Sequence, residues 1–211
     1  MAKVKSMKEK VAAAYPLMKK DFAYTNPMQA PKLEKVLVSI GTGKNGRGDK
    51  KRGEFIVSRL ATITGQKASP RKAKKSIATF KLREGEIIGQ LVTMRGTRMF
   101  AFLDKYLNIA IPRTKDFRGF SAKSIDAMGN VTFGIKEHTV FPECADENLA
   151  DVFGMAVTIV TSCTTKAESQ AFLEALGFPF RPEAELATRR GMKRMKKGPS
   201  TNVTKRGTKK K

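Results

Sequence analysis

Two hydrophobic periods alternate along the chain. Over residues 5–20, Met7, Val11, Ala14 or Tyr15 and Met18 recur at helical spacing, and six lysines between Lys3 and Lys20 occupy the remainder. That pattern predicts a basic amphipathic helix. Pro27 and Pro31 break the chain; Val36, Val38 and Ile40 then alternate with Lys35, Leu37 and Ser39 as a half-buried strand ending at Gly41. Asp49 is placed to cap a second helix, with Ile56, Leu60 and Ile63 along one face and Gly65 as its stop. Period-2 runs at 77–83 and 87–95, joined by Glu84-Gly85-Glu86, are expected to pair antiparallel. A helix is predicted from about Arg98 to Ala110, with Phe100, Leu103, Tyr106, Leu107 and Ala110 inward and Pro112 at its end. Further strands are expected at 131–138 and 155–163. A last helix opens on the capping-box sequence Thr165-Lys166-Ala167-Glu168 and stops at Gly177.

Interleaved helices and strands with short links predict an α+β fold, a two-layer sandwich of a largely antiparallel sheet with helices on one face. The other face would then be open. Strand 87–95 puts Leu91, Thr93 and Arg95 on one side, and run 77–83 puts Thr79, Lys81 and Arg83 on one side. With Lys32 and Lys35, these residues could form a basic platform for a sugar-phosphate backbone, although exposed strand faces are ordinarily polar in any case.

Charge makes a polyanionic partner the first expectation. The 211 residues carry 42 Lys and Arg against 19 Asp and Glu, a formal charge of +23. Residues 181–211 alone hold 12 Lys and Arg against Glu183 and Glu185. After Glu185 apolar periodicity nearly vanishes, so 1–181 is expected to form one domain and 182–211 a basic extension, disordered when free and settling on a polyanion, or serving as a solubility tail or nuclear-type signal. The segment 66–76 carries Lys67, Arg71, Lys72, Lys74 and Lys75 with no acid, and is expected as a loop in water or on phosphate. From Glu137 to Thr165, in contrast, there is no Lys or Arg, while Glu137, Glu143, Asp146, Glu147 and Asp151 are acidic. Such a stretch suits a basic protein partner, or equally local solubility and helix-dipole matching.

Little material remains for catalysis. Two cysteines, Cys144 and Cys163, exclude a disulfide scaffold and a four-thiolate zinc site and fit a reducing compartment. One His, no Trp and no His/Cys cluster give no metal site, cofactor or nucleophile; His138 is expected in a strand or at the surface. No stretch approaches the roughly 18 apolar residues of a membrane span, so a soluble, intracellular protein without a membrane partner is expected. Gly41-Thr42-Gly43-Lys44-Asn45-Gly46 matches a dinucleotide fingerprint and keeps a nucleotide-binding enzyme as the alternative. A Rossmann unit needs an acid at the end of a second parallel strand about 20 residues on, where this chain has its basic segment.

An ordered set of motifs carries a family likeness. Thr64-Gly65-Gln66-Lys67, Lys72-Ala73-Lys74-Lys75-Ser76, Phe80-Lys81-Leu82-Arg83 and Val92-Thr93-Met94-Arg95-Gly96 resemble the family of large ribosomal subunit protein five, bacterial type. The likeness continues through Ile109-Ala110-Ile111-Pro112-Arg113, Asp116-Phe117-Arg118-Gly119, Phe141-Pro142-Glu143 and Phe178-Pro179-Phe180-Arg181, spanning most of residues 7–181. The resemblance implies a structural, cytoplasmic ribosomal protein whose open sheet face holds 5S rRNA and helps dock it onto 23S rRNA in the central protuberance. By position it implies RNA contact at Gln66, Phe80 and Thr93, with Ser39 where the family usually has Asn. It also implies that loop 67–75 reaches P-site tRNA, and that stretches near 113–120 and 136–151 meet a basic small-subunit head protein. With the charge pattern, the expected rRNA contacts are Lys32, Lys35, Ser39, Gln66, Phe80, Lys81, Thr93 and Arg95. The expected tRNA contacts are Lys67, Arg71, Lys72, Lys74 and Lys75, and the expected bridge residues Arg113, Glu143, Asp146 and Glu147.

Overall fold

The computed structural model describes residues 5–42, 50–145 and 152–181. Helix α1 (Met7–Phe22) opens on a reciprocal cap: the Ser6 hydroxyl accepts from the Glu9 N–H, and the Glu9 carboxylate accepts from the Ser6 N–H. Met7, Ala14 and Met18 are its buried stripe. Strand β1 (Leu33–Gly41) follows, then α2 (Lys50–Thr64), β2 (Ser69–Lys72), β3 (Ile87–Met94) and α3 (Gly96–Lys105). A π-helical turn (Tyr106–Ala110) leads into α4 (Ile111–Arg113), and β4 (Val131–Ile135), β5 (Met155–Thr161) and α5 (Lys166–Ala175) follow, with short 3-10 turns in the connections.

The strands form one sheet in the order β2-β3-β1-β5-β4, every neighbouring pair antiparallel. Alternation sorts the side chains. Val36, Val38, Ile40, Val92, Met94, Val131, Phe133, Val157 and Ile159 are buried in one core with Leu60, Ile63, Met99, Leu103, Phe172 and Leu173 of the helices. Their strand neighbours Lys35, Leu37, Ser39, Leu91, Thr93 and Thr158 are only half-buried, so the second face is open. This is the expected α+β arrangement. At the β1–β3 seam, a Cβ on Gly89 would come within 2.8 Å of the Ile40 carbonyl oxygen, so only glycine fits there.

Three expected elements differ. The run 77–83 is not a strand: Ile77 and Leu82 exchange backbone hydrogen bonds (2.9 and 3.1 Å) around a 3-10 turn, Ala78–Phe80, and Lys81 is left-handed at φ 51°. Both sides of β3 are already taken, by β1 and by β2, so this segment closes on itself instead. Residues 69–72, expected within a loop, are that second neighbour. An edge strand tolerates Pro70 and keeps Arg71 and Lys72 in solvent. Pro112 does not end the third helix, because the π turn just before it changes the hydrogen-bond register where the proline ring would otherwise clash.

Gly65 stops α2 at φ 68°, and the Thr165 hydroxyl caps α5. Half of the expected capping box is absent there: the Glu168 carboxylate accepts instead from the Thr164 N–H and the Tyr24 hydroxyl, tying the end of α1 to α5. The capping role of Asp49, most of the glycine-rich turn, the acids Asp146, Glu147 and Asp151, and the extension 182–211 lie outside the described residues.

Candidate nucleic-acid interface

The open face is assembled row by row from the register. One row runs Ser69, Leu91, Ser39, Ala156 and Gly134; the next runs Thr93, Leu37, Thr158 and Thr132. In the third, Lys35 pairs with Val160, and Arg95, exposed and next after the Val36–Met94 pair, closes β3 at the same end of the face. On the opposite side, Arg71 pairs with Gly89 and Gly89 with Gly41. The expected residues Lys35, Ser39, Thr93 and Arg95 therefore do converge on one surface. Lys32 adjoins it at the start of β1, its N–H bonded to the Ser162 hydroxyl at 2.8 Å.

Other expected residues lie elsewhere. Gln66 follows α2, held by its N–H to the Thr64 hydroxyl (3.3 Å), and leads with Lys67 into the β2 edge. Phe80 and Lys81 leave the sheet: they occupy the excursion 73–86 between β2 and β3, which also carries Lys74 and Lys75, with Phe80 65% exposed and its N–H bonded to the Ile77 carbonyl. The excursion is closed at its base by the Ala73 N–H to Glu86 (2.8 Å) and the Gly85 N–H to Ala73 (3.1 Å), and across its middle by the Glu84 N–H to the Ser76 hydroxyl.

Sequence reasoning missed Thr158, Thr132, Ala156 and Gly134. The alternation Met155-Ala156-Val157-Thr158-Ile159 contained Thr158, but its position beside β1 depends on a pairing across more than a hundred residues. The two threonine hydroxyls sit 3.0 Å apart on the open face.

At the far end of the sheet a cleft of about 480 Å3 lies between residues 114–120 and the end of β4. Its charged lining is Lys115, Arg118, Lys136 and Arg181 against Asp116 and Glu137, so it is not the acidic surface that 137–165 suggested. Arg113 is exposed at the end of α4. Glu143 is engaged within the chain: its carboxylate accepts from the Lys105 ammonium at 2.5 Å, which also donates to the Ile63 carbonyl at 2.7 Å. His138 is fully buried, stacked on Phe153 at 3.9 Å with its Nδ1 accepting from the Phe153 N–H, which makes it a core residue rather than a strand or surface one. Cys144 and Cys163 are both buried. Among the described residues there is no group of three or more His, Cys, Asp or Glu able to hold a metal, and no helix long and apolar enough to cross a membrane.

Comparison with known proteins places this geometry. The family model "Ribosomal protein L5" matches residues 26–83, and a second model, for the C-terminal part of the same ribosomal family, matches residues 87–180. A large ribosomal subunit protein uL5 of Ureaplasma parvum is 50% identical over 163 residues, 77% of this chain and 88% of the relative. That of Prochlorococcus marinus is 49% identical over 166 residues, covering 79% and 92%. That of Desulfovibrio desulfuricans is 48% identical over 177 residues, covering 84% and 97%. With two models of the family matching residues 26–83 and 87–180 and relatives about 50% identical over most of their length, the chain belongs to the bacterial uL5 family of ribosomal proteins.

Proposed function

We propose that this chain is a structural constituent of the large ribosomal subunit, acting on the ribosome in the bacterial cytoplasm. It binds 5S rRNA across the open face of its sheet and helps attach that RNA to 23S rRNA in the central protuberance. The observation that carries this reading is the convergence of Lys35, Ser39, Thr93 and Arg95 on one uncovered sheet face in a chain of this family. Cations position a phosphate backbone, and a flat polar sheet matches RNA by shape. The role is not enzymatic. The antiparallel sheet gives β1 and α2 no parallel partner strand, so the glycine-rich turn lacks the context a dinucleotide needs.

The excursion 73–86 suits contact with P-site tRNA, since Phe80 offers a stacking surface and Lys74, Lys75 and Lys81 offer cations, with Lys67 and Lys72 along its approach, while Arg71, in the open-face row of Gly89, turns to the rRNA side. A bridge to a basic small-subunit head protein would rest on Asp146 and Glu147 rather than on Glu143, which already holds Lys105. The test is site-specific crosslinking in assembled ribosomes from photoreactive residues at positions 35, 93, 81 and 113. Expected products are 5S rRNA from 35 and 93, tRNA from 81, and a small-subunit protein from 113. Absence of 5S rRNA from both sheet positions would refute the assignment of the face.

A further inference from the structure

The open face has a charge pattern of its own. Arg71 stands in the row of Gly89 and Gly41; Lys35 and Arg95 stand six residues further along β1, a span of about 20 Å. The strand-paired residues of the two rows between them carry no charged side chain, and Lys67, just ahead of β2, flanks the second row at the sheet edge. The two rows hold Ser69, Ser39, Thr93, Thr158 and Thr132, with Leu91, Leu37, Ala156 and Gly134. Cations thus border a neutral, hydroxyl-rich band at both of its ends and, through Lys67, at its β2 edge.

An A-form RNA helix presents the complementary order: two phosphate backbones flank a wide, shallow minor groove lined with ribose 2′-hydroxyls. We propose that the band reads those hydroxyls, with Thr158 and Thr132 as the contacting pair on the β5–β4 side. This inference rests on the 5S rRNA reading above and extends it to residues outside that assignment. With Thr132 Oγ1 and Thr158 Oγ1 3.0 Å apart, one hydroxyl donates to the other, which leaves the second with its own donor and both with free lone pairs. A ribose 2′-hydroxyl both donates and accepts, so the pair can engage it in either sense. Arg71, Lys35 and Arg95 supply the electrostatic attraction, while the threonines supply the preference for ribose over deoxyribose.

The experiment compares full-length wild-type chain with the Thr132→Val/Thr158→Val double variant. Valine keeps the β-branched shape and strand preference while removing both hydroxyls. The probes are a 5S rRNA transcript and transcripts with 2′-fluoro pyrimidines or 2′-fluoro purines, which keep the A-form sugar pucker and lose the donor. Wild type is expected to bind at least one fluoro transcript more weakly than the native one, by roughly 2- to 12-fold per hydrogen bond lost. In the valine variant that ratio should collapse toward one, with affinity for native RNA reduced and its salt dependence unchanged. Thr132→Ser/Thr158→Ser should restore the discrimination. An undiminished ratio in the valine variant, or a shallower salt slope, overturns the inference while leaving 5S rRNA binding intact. Failure of wild type to bind the native transcript overturns the function and this inference with it.

Discussion

Replacing Lys35 and Arg95 with glutamine tests whether the sheet face is the electrostatic platform. Lys35 on β1 and Arg95 just past the end of the neighbouring β3 lie at one corner of the open face, and each can neutralise one phosphate. Each phosphate so neutralised contributes about 0.7 to 0.9 to the slope of log K against log salt. Losing both contacts should flatten the slope by about 1.4 to 1.8. Between 50 and 200 mM salt, the affinity deficit of the double variant should therefore shrink by about 7- to 12-fold. Filter binding to a 5S rRNA transcript at four salt concentrations measures this directly, with urea unfolding as a check that the half-buried Lys35 position tolerates the change. Lys81→Gln is the internal contrast: Lys81 lies in the excursion, away from the sheet rows, and should leave the 5S slope unchanged. Parallel slopes for wild type and the Lys35/Arg95 variant would refute the placement. A flattened slope for Lys81→Gln alone would move the platform to the excursion.

Three further outcomes follow from the packing. Burial pushes the Cys163 thiol up to about 11 from its ordinary 9.0, the Glu168 carboxylate adding to the rise and the Thr161 hydroxyl partly offsetting it. A raised folded-state pKa contributes stability that is complete below pH 9 and lost as pH rises toward 11. The unfolding free energy of wild type from urea titration should thus fall across that window by more than that of Cys163→Ala, the difference reaching about 2 kcal/mol at most; equal losses would count against the buried thiol. The Gly129 carbonyl accepts from Ser169 Oγ (2.6 Å) and Thr161 Oγ1 (2.9 Å), both in the core. Ser169→Ala and Thr161→Val should each cost about 1 kcal/mol, and together at least about 1 kcal/mol beyond their sum, because only the pair leaves a buried carbonyl unsatisfied; strict additivity would show that the carbonyl finds another donor. Glu143→Gln should lower stability by about 1 kcal/mol through Lys105, a figure kept small by the partial exposure of both groups, and should leave subunit joining unchanged; a joining defect with unaltered stability would assign Glu143 to the bridge instead.

The elements that could be read from the sequence are those whose period is local. Met7, Ala14 and Met18 announce α1, and Val36, Val38 and Ile40 announce β1, because burial on one face leaves its mark every three to four residues or every two. Ser69-Pro70-Arg71-Lys72 leaves no such mark: an edge strand with all four residues exposed has the composition of a loop. The run 77–83 shows the converse failure, an alternation without a partner, since β3 already had one on each side. The same distinction divides the site. Lys35, Ser39, Thr93 and Arg95 were legible because each strand states its own two faces. Thr158 and Thr132 were not, because their place on the platform depends on β5 docking beside β1 from more than a hundred residues away and on β4 docking in turn beside β5. That non-local docking also changes what the charge of +23 can mean for this surface. A face read only from its cations would draw all its affinity from phosphates and lose it steeply in salt. The face the register builds confines its charged side chains to its borders, so the affinity contributed by its hydroxyl centre must persist at salt concentrations that abolish the contribution of those borders.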